Sequence, residues 1–269
     1  MAYCSSSDWL AMKKPAKNSR KGDNGRLLII AGNEKYHGSA VLALLAATRF
    51  CDLAYFHSTV ENAKIASSFL KKIKFSTPCV ICGKSGELAR HIKIADAILI
   101  GPGIGRGKKA RANVGRVVAA NKFCILDADA LHLVTPKQLH AKCLITPHEG
   151  EFKALFGIAG TEANVKKMAK KYGCVILKKG PVDIIASPHA CKFNRTHNAG
   201  MTKGGTGDVL AGLCAALVSA GNPLFASACA AAYLNGFAGN LLLRRLHYHF
   251  NAEDLALSLA EAAAKIEKK

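Results

Sequence analysis

The 269-residue sequence is poor in aromatic residues, poor in acidic residues and free of long apolar runs. Aromatic side chains make up only 7% of the chain, too few to interleave with basic residues as nucleic-acid motifs require. No stretch approaches the roughly 18 uninterrupted apolar residues of a membrane-spanning helix. The opening segment 1–25 has no apolar core of the secretory type. We therefore expect a cytoplasmic protein that does not associate with membranes.

Cysteine pairs with the spacing of metal sites are also scarce, although the chain has ten cysteines. Single cysteines among apolar neighbours are typical of reduced thiols in a core; they are Cys51, Cys124, Cys174, Cys214 and Cys229. Cys79 and Cys82 form one Cys-x-x-Cys, but it falls in a strand-like run, where residues three apart point to opposite faces. The sequence therefore predicts no metal site built from protein ligands.

Positive charge is what the chain has in excess. Lys and Arg number 38 against 18 acidic residues, a net charge of +20. Such a field favours polyanions and phosphorylated ligands. The basic residues are spread over many segments that have the pattern of solvated helix faces. A nucleic-acid-associated protein therefore stays a distant alternative, and no specific nucleic-acid partner is expected.

Strand-like and helix-like segments alternate along most of the chain. Continuous apolar runs typical of strands buried on both faces are RLLIIAG, DLAYFHS, PCVICG, DAILIG, FCILDAD, KCLITPH, CVILKKG and VDIIAS. Helical periodicity marks the segments 39–50, 60–74 and 162–173. This alternation predicts an α/β fold with a mostly parallel central sheet and helices on both faces. The pattern changes after residue 187, where a short strand pair should lead into three helices.

Linkers, internal repeats and low-complexity stretches are missing, which favours one domain. We predict a single domain over residues 21–269, preceded by a basic, partly helical lead-in over residues 1–20. Polar motifs follow several apolar runs, and ligands of a parallel sheet bind beyond the carboxyl ends of its strands. The chemistry is therefore expected at that edge.

The run KGGTGDVLAGL, residues 203–213, joins a glycine-rich loop to an apolar helix. Gly204, Gly205 and Gly207 allow successive backbone N–H groups to turn inward, and the helix that begins near Thr206 adds its positive dipole end. This arrangement predicts an anion site suited to a transferring phosphoryl group. Asp208 in the first helical turn either caps the helix or accepts the proton of an attacking hydroxyl, and beside an anion site we favour the base.

Six segments in order resemble one family: 21–43, 95–106, 125–131, 144–152, 177–186 and 198–212. The GGTGD signature is similar to that of the ribokinase-like superfamily, and the whole set is similar to the ADP- or ATP-dependent NAD(P)H-hydrate dehydratases. The resemblance implies a ribokinase-like three-layer sandwich. It also implies a repair reaction, in which the ring hydroxyl of hydrated NADH or NADPH is phosphorylated and phosphate then leaves to restore the double bond.

The resemblance also implies roles for particular residues. Asp208 would be the catalytic base, and Ala40, Gly103, His148 and Asp208 would contact the hydrated nucleotide. ADP or ATP, with Mg²⁺, would be held by Lys179, Gly180, Pro181, Val182, Asp183, Gly205, Thr206 and Gly207. Glu151 matches the acid that organises the magnesium and phosphate water shell, and Asp127 and Asp129 follow a strand at the same edge.

Two positions separate this sequence from similar ones. Small-alcohol kinases of the superfamily have Asn where this chain has His148. Because such kinases share the Asp208 site, a vitamin-precursor kinase is the alternative function. The segment 50–53 replaces a glycine-rich loop of the family, which leaves the geometry there open. We expect no fused epimerase domain, a separate epimerase as pathway partner, and assembly as a homo-oligomer.

Overall fold

The fold is built on one nine-stranded sheet. The computed structural model describes residues 1–58, 80–83 and 85–268. The strand order is β3-β2-β1-β4-β5-β6-β7-β8-β9. The strands are β1 Arg26–Ile30, β2 Leu53–His57, β3 Val80–Cys82, β4 Ala97–Ile100, β5 Phe123–Leu126, β6 Cys143–Ile145, β7 Val175–Lys178, β8 Asp183–Ala186 and β9 Cys191–Asn194. The pairs from β3 to β7 are parallel, and β8 and β9 add an antiparallel edge. The predicted mostly parallel sheet is confirmed.

Helices cover both faces of this sheet. In the described part of the chain they are α1 Ser6–Leu10, α2 His37–Ala47, α3 Leu88–Ile94, α4 Lys108–Ala119, α5 Glu149–Phe156, α6 Glu162–Tyr172, α7 Thr206–Ser219, α8 Leu224–Leu246 and α9 Ala252–Glu267. The helix predicted over 60–74 lies outside the described residues, as does Cys79 of the Cys-x-x-Cys. Among the described helices, none is both long enough and apolar enough to cross a bilayer.

Two apolar cores separate the three layers. Leu27 and Ile29 of β1 pack with α2, α7, α8 and α9, whereas Leu28 and Ile30 pack with α3, α4, α5 and α6. Successive side chains of a strand point to opposite faces, so one continuous apolar run supplies both cores. The predicted core thiols Cys124, Cys174, Cys214 and Cys229 are buried, and Cys51 is half-buried. The cysteines of the described residues are free thiols.

The lead-in packs onto this framework. Backbone bonds join Cys4 N to Phe193 O at 2.8 Å and Phe193 N to Ala2 O at 2.9 Å, beside β9. Trp9 of α1 is buried, lies edge-on to Phe50 and donates its indole N–H to Glu267 Oε1 at 3.1 Å. A boundary at residue 20 stays a prediction about chain organisation.

The segment 50–53, whose geometry the sequence left open, fixes the chain at the amino edge of the sheet. Asp52 Oδ2 accepts hydrogen bonds from Gly22 N at 2.9 Å and Asn24 N at 3.1 Å. Leu53 then begins β2, whose carboxyl end is His57. The altered loop therefore lies at the edge opposite to the polar strand ends, and its role is to anchor residues 22–24.

Candidate active site

Polar side chains from three neighbouring strands meet at the carboxyl edge of the sheet. Asp127 follows β5, Thr146 follows β6 and Lys179 follows β7. Asp127 Oδ1 accepts hydrogen bonds from Thr146 Oγ1 at 2.7 Å and from Lys179 Nζ at 2.8 Å. Asp127 is only 1% exposed. Because an unpaired buried carboxylate is costly, this ion pair fixes the position of the lysine.

Burial lowers the pKa of Lys179, but the negative charges of Asp127, Glu151 and Asp208 raise that pKa by more. The net result is a pKa above the ordinary value for lysine. Lys179 is therefore a fixed cation surrounded by carboxylates. A fixed cation at this position suits a phosphate chain.

The predicted anion loop precedes α7, and the helix begins at Thr206 as the sequence indicated. Gly205 is the residue before the helix and has φ +95°. A Cβ at Gly205 would lie 2.4 Å from Leu42 Cδ1 of α2, so the loop can approach α2 only as glycine. Thr206 Oγ1 donates to Met201 O at 2.8 Å, and the Lys203 ammonium donates to the carbonyls of Tyr248 and Phe250. The loop is thus held from both sides.

Asp208 lies in the first turn of α7, where the Ser39 hydroxyl of α2 favours its ionised form. Burial, together with the negative charges of Asp127 and Glu151, raises the pKa of Asp208 to about 7. The hydroxyl of Ser39 and the charge of Lys179 act in the lowering direction. A carboxylate that titrates near neutrality is suited to proton transfer.

The residues predicted to contact substrate lie partly in one place. Gly103 has φ +62°, and a Cβ there would lie 2.5 Å from Tyr36 O and 3.2 Å from Ser39 Cβ. The loop after β4 therefore runs directly against the start of α2, where buried Ala40 follows Ser39. Asp129 holds the same loop, because its Oδ2 accepts from Gly105 N at 2.9 Å. Ala40, Gly103 and Asp208 thus surround Ser39, while their contact with substrate stays a prediction.

His148 has a structural task at the start of α5. Its Nδ1 accepts from Gly150 N at 3.0 Å and from Glu151 N at 3.3 Å, and Glu151 Oε2 accepts from His148 N at 2.9 Å. This is a capping box in which the imidazole replaces the usual hydroxyl. The side chain is 61% exposed and its Nε2 lies 3.4 Å from Glu151 Oε1. Because the cap uses Nδ1, the predicted substrate contact would be made through Nε2, which lies beside Glu151 Oε1.

A cavity of about 510 Å³ lies between the turn after β7 and the start of α7. Its lining includes several residues predicted to hold a nucleotide: Lys179, Gly180, Pro181, Asp183, Thr206 and Gly207. The turn is closed by Gly180 N donating to Asp183 Oδ1 at 3.1 Å. A Cβ at Gly207 would lie 3.3 Å from Lys179 Nζ, so the lysine reaches the glycine loop. Of the other predicted residues, Val182 packs against the core of α3 to α6 and Gly205 against Leu42.

Sequence reasoning missed some members of the site. Ser39 is one of them, because its effect on Asp208 depends on the packing of α2 against α7. His197 and Asn235 line the cavity, and His197 Nε2 donates to Pro181 O at 2.6 Å. His197 follows β9 and lies directly before the last matching segment, 198–212, so its position gave a signal. Asn235 lies in the middle of a long apolar helix, and no sequence pattern indicated its role.

The fold and the site together define a protein of the ribokinase-like class, with a glycine-loop anion site and an adjacent carboxylate on one helix. A ribokinase-like protein from Enterococcus faecalis superimposes with a TM-score of 0.88 at 25% identity, covering 98% of this chain and 96% of the other. The ADP/ATP-dependent NAD(P)H-hydrate dehydratase of Bacillus subtilis, co-crystallised with ATP and Mg²⁺, gives 0.82 at 26% identity, covering 99% and 98%.

A family model described as NAD(P)H-hydrate dehydratase matches residues 27–261, and the chain belongs to this family. The ADP-dependent (S)-NAD(P)H-hydrate dehydratase of Cenarchaeum symbiosum is 36% identical over 254 residues, 89% of this chain and 88% of the relative. The bifunctional NAD(P)H-hydrate repair enzyme of Archaeoglobus fulgidus is 34% identical over 269 residues, 96% of this chain and 55% of the relative. The chain spans about half the length of the bifunctional relatives it matches.

Proposed function

We propose that this protein dehydrates hydrated NADH or NADPH back to NADH or NADPH at the expense of ADP or ATP. The observation that carries the proposal is the junction of the cavity, Lys179 and the α7 glycine loop with Asp208, a carboxylate whose pKa is raised to about 7. Family membership favours this reaction over the phosphorylation of a small alcohol to a stable product.

In the proposed first step, Asp208 takes the proton of the ring hydroxyl. The hydroxyl oxygen then bonds to the terminal phosphorus, and the bond from that phosphorus to the rest of the nucleotide breaks, releasing ADP from ATP or AMP from ADP. Backbone N–H groups at Gly205 to Gly207 would receive the charge of the transferring group, because helix N-termini and glycine loops favour anions. Lys179 would neutralise the phosphate chain.

In the second step the ring nitrogen supplies an electron pair, the C–O bond breaks and phosphate leaves with the bonding electrons. Loss of a proton from the neighbouring carbon then restores the ring double bond. Phosphate is a far better leaving group than hydroxide. The phosphorylation step is therefore what makes dehydration possible near neutral pH.

We include Mg²⁺ in the proposal because three carboxylates surround one fixed cation, Lys179, at this site. Asp127, Glu151 and Asp208 act on Lys179 together, so the cluster can accept a further positive charge. Glu151 is the residue that would hold the water shell of such an ion. When bound, Mg²⁺ would neutralise phosphate charge.

An epimerase is proposed as a pathway partner, since relatives about twice as long as this chain are named bifunctional repair enzymes. Assembly as a homo-oligomer also stays a prediction; analytical ultracentrifugation of the purified chain tests it.

The experiment incubates purified protein with enzymatically hydrated NADH, Mg²⁺ and either ADP or ATP, and follows the return of reduced-nicotinamide absorbance. We expect recovery with at least one nucleotide, none without nucleotide, and recovery slowed by about 10²-fold or more with Asp208→Asn. A stable phosphorylated product without recovered absorbance would support the small-alcohol kinase alternative instead. Absence of both products with either nucleotide would contradict the proposal.

A further inference from the structure

A second cluster of reactive side chains lies at the opposite edge of the sheet. Cys124 near the start of β5 is directly opposite Cys143 at the start of β6 in the strand register. Their Sγ atoms are 3.4 Å apart. His140, three residues before Cys143, brings an imidazole nitrogen to the same point, and the three ligand atoms all lie within 4.8 Å of one another.

These distances suit tetrahedral coordination. With Zn–S bonds of about 2.3 Å, two thiolates on one ion are separated by roughly 3.8 Å, slightly more than the spacing of the two sulfur atoms in the structure. The side chains therefore need only a small rotation to hold an ion. Residues on adjacent parallel strands keep this spacing because the sheet hydrogen bonds fix the register.

The burial of the pair is compatible with a bound cation. The two thiols form a hydrogen bond with each other, Sγ to Sγ, at 3.4 Å, and both cysteines are fully buried. Replacing the protons of both thiols with a divalent ion gives a neutral unit, which burial tolerates better than a charge.

His140 is oriented as metal-bound histidines usually are. In the tautomer that donates from Nε2, this nitrogen bonds to Val118 O at 3.2 Å, and a carbonyl on the second ring nitrogen is the common support of a histidine ligand. Nδ1 then carries the lone pair, and a bound ion would replace the hydrogen bond that this nitrogen accepts from Lys142 N at 3.2 Å. The half-buried imidazole lies on the side of the cluster that is open to solvent, whereas both cysteines are fully buried.

We propose that Cys124, Cys143 and His140 form a binding site for a thiophilic divalent cation of the zinc type. Two thiolates and one imidazole select such ions over Mg²⁺ or Ca²⁺, which prefer oxygen ligands. The cluster escaped sequence analysis because the two cysteines are 19 residues apart and only the β5–β6 register joins them. It lies at the amino edge of the sheet, so its role is structural and separate from the reaction at the carboxyl edge.

Cobalt titration of the reduced, chelator-treated full chain tests the site, because thiolate–Co²⁺ charge transfer reports sulfur ligands directly. The wild type should bind one equivalent with this absorption, and Zn²⁺ should displace the Co²⁺ and raise the melting temperature. Cys124→Ala and Cys143→Ala should lose the charge-transfer band, and His140→Gln should bind at least tenfold more weakly. Cys214→Ala, a buried thiol of α7 in the other core, is the matched control and should bind as the wild type.

Melting curves without metal show whether each variant is folded before it is titrated. If an alanine variant does not fold, His140→Gln still tests the site, because replacing a half-buried imidazole disturbs the core less. A wild type with no thiolate–Co²⁺ band would overturn the proposal. So would a band that persists in the folded Cys143→Ala variant.

Discussion

The two ends of the same three strands carry opposite chemistry. At their amino ends β5, β6 and β7 place thiols, Cys124, Cys143 and Cys174, in the core under α4 to α6. At their carboxyl ends they are followed by Asp127, Thr146 and Lys179, which bond to one another. In each strand the two positions are an odd number of residues apart and therefore point to opposite faces.

This difference shows that the amino ends of the strands serve stability, whereas the carboxyl ends serve the proposed reaction. The thiols are uncharged or weakly polar and can be buried as core atoms. The carboxyl ends instead bury charge, which is tolerated because an ion pair and a hydroxyl satisfy it. Substitutions at the carboxyl ends should therefore change activity, and matched substitutions at the amino ends should change stability alone.

The largest effect is expected for Asp208→Asn. The amide has the same shape but cannot take the hydroxyl proton, so kcat should fall by about 10²–10⁴-fold. Nucleotide affinity, measured by calorimetry, should change by less than tenfold, because the glycine loop is intact. Cys174→Ala serves as the comparison from the other end of the sheet: it should keep wild-type kcat while losing about 1–2 kcal/mol of stability. A kcat near wild type for Asp208→Asn would refute the assignment of the base.

Asp208→Asn should be more stable than the wild type above neutral pH. The pKa of Asp208 in the folded protein is about 7, raised above an unfolded value near 3.8. The native state therefore holds a proton that the unfolded state releases, and wild-type stability falls as pH rises through this window. Roughly 3 units at about 1.4 kcal/mol each set an upper limit of about 4 kcal/mol, which partial solvent access reduces to about 1–3 kcal/mol. Urea denaturation at about pH 4 and about pH 8 should show the gain only at the higher pH.

Lys179→Met should destabilise the fold by about 3–5 kcal/mol and weaken nucleotide binding, because it leaves Asp127 buried without its cation. The exposed fractions of the two side chains are 20% for Lys179 and 2% for Asp127, so water cannot replace the lysine at the carboxylate. Adding Asp127→Asn should recover part of the lost stability and none of the nucleotide affinity. If Lys179→Met were as stable as the wild type, the ion pair between Asp127 and Lys179 would not be fixed as described.

Gly205→Ala should cost about 1–3 kcal/mol and displace the glycine loop, since φ is +95° and the new Cβ would lie 2.4 Å from Leu42 Cδ1. Gly204→Ala is the control, because no atom lies within 4 Å of a Cβ at that position. Thermal melts and nucleotide titrations of the two variants should differ clearly. Equal behaviour would argue against the tight approach of the loop to α2.

The smallest effect is expected for Ser39→Ala. Its hydroxyl favours the ionised form of Asp208, so removing that hydroxyl should raise the pKa of the carboxyl further and lower the rate near neutral pH by less than tenfold. At higher pH the rate should return to the wild-type value. A uniform loss of rate at every pH would instead point to a role of Ser39 in binding.

Much of the fold was predictable because buried parallel strands are continuous apolar runs. Each strand proposed from the sequence corresponds to a strand of the structure, and the helix start at Thr206 follows from the glycine loop before it. The Asp127–Lys179 pair was not predictable, since it joins residues 52 positions apart through the order of strands. The cap formed by His148 was also missed, because histidine is a rare capping residue and its position indicated a substrate contact.

The central claim is that Asp208 is a base which titrates near neutrality in the free protein. The pH dependence of kcat/KM for hydrated NADH, from about two units below to two units above neutral pH, tests it most directly because this parameter reports groups of the free enzyme. The account predicts a rate that rises with pH through a single midpoint near 7. A flat profile across that range, as expected for a carboxylate with the ordinary pKa of aspartate, would contradict it.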